Sequence, residues 1–256
     1  MSYVKEYLDG PVYLEPIAHL YIKKSNGEKF TSVTKVLHSF VEEFDGDAIA
    51  EKIAKQSDDN PKKNPKYIGM SKEQILDKWK EINDEANEYG TAIHEGLEKY
   101  LLSQFTYEGE TDIEKDTIKA YKELEIDHGQ ITWPERIMFS DEHKLAGTSD
   151  IIVDVDDVYF SVLDFKTNSK FNYFNSFKKM LKKPLDHLQD CQYHIYSLQL
   201  SIYAYMYQLE FPHKKCRDMF LLYWDRDLKT FTKIPVIYMK SEAKKILDTH
   251  KLLMST

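Results

Sequence analysis

Residues 146–170, AGTSDIIVDVDDVYFSVLDFKTNSK, constrain the fold more than any other stretch of the chain. Two apolar, β-prone runs flank the acidic segment DVDDV, and that pattern predicts a hairpin. Asp150 and Asp164 lie equally far from Asp157, in the middle of the turn, so a tight hairpin centred there sets the two carboxyl groups side by side. Asp164 and Lys166 are two apart and share one face of the second strand, while Phe165 points to the other. Facing carboxylates repel, so the arrangement costs stability unless a cation lies between them. A hard divalent ion with oxygen ligands meets that need. A lysine beside it can hold a phosphate, or orient and deprotonate a water. Two acids, a metal and a lysine are the parts for metal-assisted phosphodiester hydrolysis. On spacing alone, an ordinary surface hairpin whose charges pair with one another is the better account. Asp154, Asp156 and Asp157 read as plain turn residues, and Glu135, opening the preceding strand, reads as structural.

A chain of 256 residues, 42% hydrophobic, can bury a sizeable core. Its net charge of −8 argues against a generic polyanion binder, although local patches decide nucleic-acid contact. Lysines cluster at 62–63 with Lys66, and again in KKMLKK at 178–183; a solvated surface explains both runs as well as a binding patch does. The two cysteines, Cys191 and Cys216, cannot supply a four-cysteine zinc or iron–sulfur site. Their count alone leaves a disulfide open, but nothing else suggests an exported, disulfide-stapled protein, so a reducing compartment is expected. The N-terminal sequence has no apolar signal-peptide region, and no run approaches the length of a membrane span. These features predict an intracellular protein, cytoplasmic or nucleoid-associated, with no membrane partner.

The remaining chain predicts one central sheet with helices. HLYIKKSNGEKFTSVTKVL opens with a hairpin turning at Asn26-Gly27, followed by a short helix capped by Ser32 or Thr34. GDAIAEKIAKQ reads as a helix, and the proline-rich 57–70 as a loop. The longest helix starts at a capping box of Ser71 and Gln74 and carries Ile75, Trp79, Ile82, Ala86, Tyr89, Ile93, Leu97 and Tyr100 at helical spacing. Another helix runs from about Asp112 to Glu125, strands dominate from Ile131 to Lys166, and 187–210 reads as helix. Two strands and a closing helix follow, an α/β or α+β plan.

GTSD and LDFKT resemble the G-x-x-D and D/E-x-K motifs of the PD-(D/E)XK nuclease superfamily. WKEINDEANEYGTAIHEGLE resembles a helical motif of its RecB-type exonuclease branch, through Gly90, Thr91 and His94. LQLSIYAY resembles that branch's Q-x-x-x-Y helix through Gln199 and Tyr203, and FTSVTKVL its opening serine–threonine segment. The chain is similar in these respects to phage RecB-like exonucleases and to the mitochondrial genome maintenance exonuclease. The match spans about residues 30 to 210, in order.

The resemblance implies a restriction-endonuclease-like core, a central mixed β-sheet flanked by helices, with a helical N-terminal region. It suggests one nuclease domain over 1–256, of which 1–110 is mainly helical and 111–256 is the catalytic core. It makes His94, Asp150, Asp164 and the backbone carbonyl of Phe165 metal ligands, with Lys166 as catalytic lysine beside Asp150 and Asp164. Thr91, Gln199 and Tyr203 would face the DNA; Thr91 shares the His94 face, and Gln199 and Tyr203 share another. The cofactor would be Mg²⁺ or Mn²⁺, the imidazole making Mn²⁺ well tolerated, and no iron–sulfur cluster is expected. The implied activity is that of an exonuclease on DNA ends, preferring single strands, in recombination, repair or replication, with replication or recombination proteins as partners. Aromatics among residues 67 to 107 are candidates for stacking on bases. An endonuclease on the same fold and an inactive DNA-binding partner stay open. Ser149 stands where the superfamily's name has proline, and no Walker A lysine motif is present.

Overall fold

In the computed structural model, residues 10–60 and 62–254 are described. The chain divides into two compact units, one of residues 1–41 with 93–256 and one of residues 42–92.

The smaller unit holds helix α2 (Gly46–Asp59), a 3₁₀ turn (Pro65–Tyr67) and the first part of helix α3 (Lys72–Leu102). Asp45 caps α2 by accepting from the Ala48 amide at 2.9 Å. The capping box at α3 forms: Ser71 donates its amide to Gln74 Oε1 at 2.8 Å and accepts from the Gln74 amide at 3.3 Å. Trp79 packs against Phe44 and Tyr67 and donates its indole N–H to the Tyr67 hydroxyl at 3.0 Å.

Among the described residues, the larger unit is built on one sheet of eight strands: β1 (Val12–Glu15), β2 (Leu20–Lys23), β3 (Lys29–Ser32), β4 (Ile131–Ser140), β5 (Leu145–Asp154), β6 (Tyr159–Lys166), β7 (Lys215–Asp225) and β8 (Thr230–Pro235). Its helices are α1 (Val33–Ser39), the end of α3, α4 (Asp112–Glu123), α5 (Gln192–Glu210) and α6 (Lys240–Met254). The Asn26-Gly27 turn closes β2 onto β3, with Gly27 at a φ of 71° that suits a residue without Cβ. Ser32 caps α1 by accepting from the Lys35 amide. β1, in a segment not read as a strand, pairs antiparallel with β2.

The sheet is mixed. β3 runs parallel to β5, β6 parallel to β7, and the other neighbours are antiparallel. β4 lines one edge of β5 over its whole length. β3 at Leu145–Ala146 and β6 at Ile151–Asp154 must then share the other edge. Residues 147–150 of β5 fall between them, where the sheet opens, and Asp150 stands at the margin of that opening.

Helix α5 is buried on nearly all sides, from Ser197 through Ala204 and at Met206 and Tyr207. It packs on β4–β7 on one side and meets α1 and α6 on the other, so an apolar stripe alone would not suffice. Leu198, Ile202, Met138, Ile152, Val162 and Leu221 form the middle of this core. The helix begins at Gln192 rather than near 187. The preceding residues are tied elsewhere: the Asp190 amide bonds to the Lys179 carbonyl, and Met180 bridges Gln189. Asp154 is not a plain turn residue. It is buried, accepts from Trp133 Nε1 at 3.1 Å and the Tyr207 hydroxyl at 2.7 Å, and pairs with Lys214 at 2.8 Å. Asp156 does shape the turn, accepting from the amides of Val158 and Tyr159.

Candidate metal centre and active site

The β5–β6 register pairs Ile151 with Leu163 and Asp154 with Phe160. Carried one residue further, it sets Asp150 opposite Asp164. The strands part there, and the Phe165 amide donates to Asp150 Oδ2 at 2.6 Å instead of to a backbone carbonyl. The carboxylate is thereby fixed by the ladder it interrupts.

His94 reaches the same point from α3. Ile93, Leu97 and Tyr100 bury one stripe of the helix, and His94 and Glu98, one turn apart, lie beside it. The His94 ring meets the Phe165 ring edge to face at 5.6 Å, and Nδ1 is 3.5 Å from Asp150 Oδ2. Gly96 lets α3 approach α4, since a Cβ there would stand 2.7 Å from Glu114 Cγ.

Glu135 comes from β4. Pro134 pairs with Ile151 and Arg136 with Ser149, so Glu135 stands opposite Asp150. Its φ of 49° is left-handed, a conformation that costs a residue with a Cβ about 1–3 kcal/mol. One ligand atom each of His94, Glu135 and Asp150 lies within 4.8 Å of the other two.

Lys166 lies across from this group. Its ammonium pairs with Asp164 Oδ2, donates to Gln199 Oε1 at 3.3 Å, and sits 4.5 Å over the Tyr196 ring. Gln199 donates in turn to the Tyr203 hydroxyl at 3.0 Å. Tyr203 fits because residue 147 is glycine: a Cβ there would come 2.8 Å from the Tyr203 ring and 2.9 Å from Val33. Thr91 is exposed on α3, in the 42–92 unit.

The charges crowd one another. Burial pushes the Glu135 carboxyl up, Asp150 and Glu98 add to the push, and it stands at about 8. Burial also raises Asp164, to about 6, with Lys166 pulling against it and Asp150 reinforcing it. Burial opposes the His94 cation, but Asp150, by charge and hydrogen bond, and then Asp164 outweigh it and hold the imidazolium at about 9. Burial likewise opposes the Asp150 anion, but His94, Lys166 and the Phe165 amide keep it below the ordinary carboxylate range. Lys166 is raised despite burial, through Asp164 and Asp150. At neutral pH it is a cation, suited to stabilise negative charge rather than to take a proton.

The donor set fits a divalent ion. One imidazole nitrogen and two carboxylates converge, and the buried Asp164 carboxylate that faces them has Lys166 as its partner. That combination suits Mg²⁺ or Mn²⁺. Asp164 belongs to the lysine side of the site, and Glu135 joins Asp150 as the second acid of the converging set. A proline inside a β-prone run, Pro134, marks a departure from ladder geometry and was the available signal for Glu135. For Glu98, the signal was its place one helical turn after His94.

The model of the PD-(D/E)XK nuclease superfamily matches residues 35–252. Among solved structures the chain is similar to SSO0001, at 14% identity and a TM-score of 0.32, over 86% of this chain and 83% of that one. It is also similar to a protein named "Putative exonuclease" from Eubacterium rectale, at 12% identity and a TM-score of 0.37, over 88% of this chain and 79% of that one. No curated protein matches.

Proposed function

Because the chain belongs to the PD-(D/E)XK nuclease superfamily, we propose that it is a metal-dependent deoxyribonuclease that degrades DNA from its ends, preferring single strands, in recombination, repair or replication. The convergence of His94, Glu135 and Asp150 beside the Asp164–Lys166 pair supports this reading best. His94, Glu135 and Asp150 would hold Mg²⁺ or Mn²⁺, with Asp164 and the Phe165 carbonyl as further oxygens. A divalent ion there supplies Lewis acidity toward a phosphate oxygen and lowers the pKa of a bound water. Lys166 holds its ammonium against the charge that builds on the non-bridging oxygens as the phosphodiester is attacked. Asp164, Gln199 and the Tyr196 ring fix that ammonium in place, and Tyr203 fixes Gln199. Thr91, exposed on its helix, would bind the DNA backbone, whereas Gln199 and Tyr203, both buried, would act on the DNA through the Lys166 ammonium that they hold.

Among the described residues, no helix is long and apolar enough to cross a membrane. The test is digestion of labelled single- and double-stranded oligonucleotides, free or blocked at either end, with Mg²⁺ or Mn²⁺. Shortening from a free single-stranded end, lost in Lys166→Ala and Asp164→Asn with the fold retained, is the expected result. Nicking of a covalently closed circle would replace the exonuclease reading with an endonuclease. Wild-type turnover by either variant would remove the site assignment.

A further inference from the structure

The segment between β6 and α5 carries features that neither the core nor the metal centre uses. Phe174 and Phe177 are 78% and 84% exposed, with Tyr173 and Met180, 47% and 40% exposed, on either side of them in sequence. Apolar side chains this exposed and this close together mark a contact surface. The loop that presents them is built rather than loose. Asn175 accepts from the amides of Phe177 and Lys179 and donates to the Asp190 carbonyl at 2.7 Å, while its own amide donates to Gln189 at 3.0 Å. Leu181 and Leu185 bury its return leg.

Two further observations say what the surface fits. Residues 167–191 carry five lysines against two aspartates, in a chain whose net charge is −8. All five, Lys170, Lys178, Lys179, Lys182 and Lys183, are exposed. The rings also run continuously back to the active-site lysine. Lys166 sits over Tyr196, Tyr196 lies 6.2 Å from Phe171, Phe171 lies 4.8 Å from Tyr173, and Tyr173 lies 5.6 Å from Tyr193. A groove of about 370 Å³ opens beside Phe174 and Phe177, edged by Asn172, Asn175 and Gln192.

We propose that this aromatic and basic loop is a track for single-stranded DNA, stacking unpaired bases on Phe174, Phe177 and Tyr173 and leading the strand to or from Lys166. The inference rests on the nuclease reading and extends it to the path of the substrate. Aromatic faces take any unpaired base, whereas in a duplex the bases are already stacked and leave the rings unused. Lysines beside the rings neutralise the phosphates.

Binding measured without divalent metal separates this inference from cleavage. The full chain in EDTA is titrated against fluorescein-labelled single-stranded and duplex DNA, read by anisotropy at several salt concentrations. The double variant Phe174→Ala, Phe177→Ala should bind single strands about tenfold or more weakly, with duplex affinity nearly unchanged. Phe174→Trp with Phe177→Trp should keep the affinity, and Phe174→Leu with Phe177→Leu should lose it, because stacking needs a ring. Lys178→Gln with Lys179→Gln should flatten the dependence of log affinity on log salt by about 1.4. These side chains are exposed, so an unchanged melting temperature shows that the fold is intact. Unchanged single-strand binding by the alanine variant, with cleavage by the wild type intact, overturns the track and leaves the nuclease reading standing. A wild type that binds no DNA removes both. A variant that changes self-association but not DNA affinity makes the loop a contact between copies, and the proposal fails.

Discussion

Glu135→Gln should stabilise the metal-free protein while removing most of its response to metal. Glu135 is held at about 8 by burial and by its acidic neighbours, against an ordinary 4.5. A carboxyl whose folded pKa is raised binds its proton more tightly in the native state, so stability falls as pH rises from about 4.5 to about 8 and then levels. At pH 7 the full linkage amounts to about 3 kcal/mol. Part of it is shared with Asp150 and Glu98, so a recovery of about 1–3 kcal/mol is expected, or roughly 3–10 °C for a chain of this size. Glutamine keeps the shape and the left-handed backbone, so strain cancels in the comparison. The assay is thermal unfolding from pH 5 to pH 8 in EDTA, repeated with Mn²⁺. The variant should melt higher than the wild type in EDTA at pH 8, converge with it near pH 5, and gain far less from Mn²⁺. A variant that melts at or below the wild type in EDTA at pH 8, yet gains as much from Mn²⁺, would refute the reasoning.

Glu114, which closes the capping box of α4 and pairs with Lys99, is held at about 2, first by the Thr111 amide. Its contribution is present above about 4.5 and lost as pH falls toward 2; Glu114→Gln should cost about 1–2 kcal/mol at pH 7 and nothing near pH 2, read by urea unfolding against pH. Asp154→Ala removes the acceptor of two buried hydrogen bonds and the carboxylate partner of Lys214, whose ammonium keeps only the Asp156 carbonyl among these contacts, so a loss of about 3–5 kcal/mol is expected in chemical denaturation. Gly147→Ala forces a methyl against Tyr203 and Val33, and should cost about 1–3 kcal/mol in stability and lower kcat by displacing the Tyr203–Gln199–Lys166 chain.

The hairpin was readable because its signals are local. Apolar alternation and a turn centred on Asp157 fix the register, and the register fixes which acids face each other. The Ser71–Gln74 capping box and the Asn26-Gly27 turn were readable for the same reason. What could not be read depends on partners distant in sequence. Asp154 looks like a turn acid until Trp133, Tyr207 and Lys214 fold onto it. Glu135 looks like a strand opener until the β4–β5 pairing sets it opposite Asp150. The start of α5 moved to Gln192 because the hydrogen bonds of Asp190 and Gln189 go back to the loop at 179–180, competition that helical periodicity cannot express.

In the proposed site an imidazole and two carboxylates, brought from three separate elements, hold one divalent ion next to an ammonium. An anomalous difference map from crystals soaked in Mn²⁺ tests it most directly. A peak within coordination distance of His94, Glu135 and Asp150, lost in crystals of Asp150→Ala, is the expected result. Manganese bound elsewhere, with those three side chains empty at saturating metal, would contradict it.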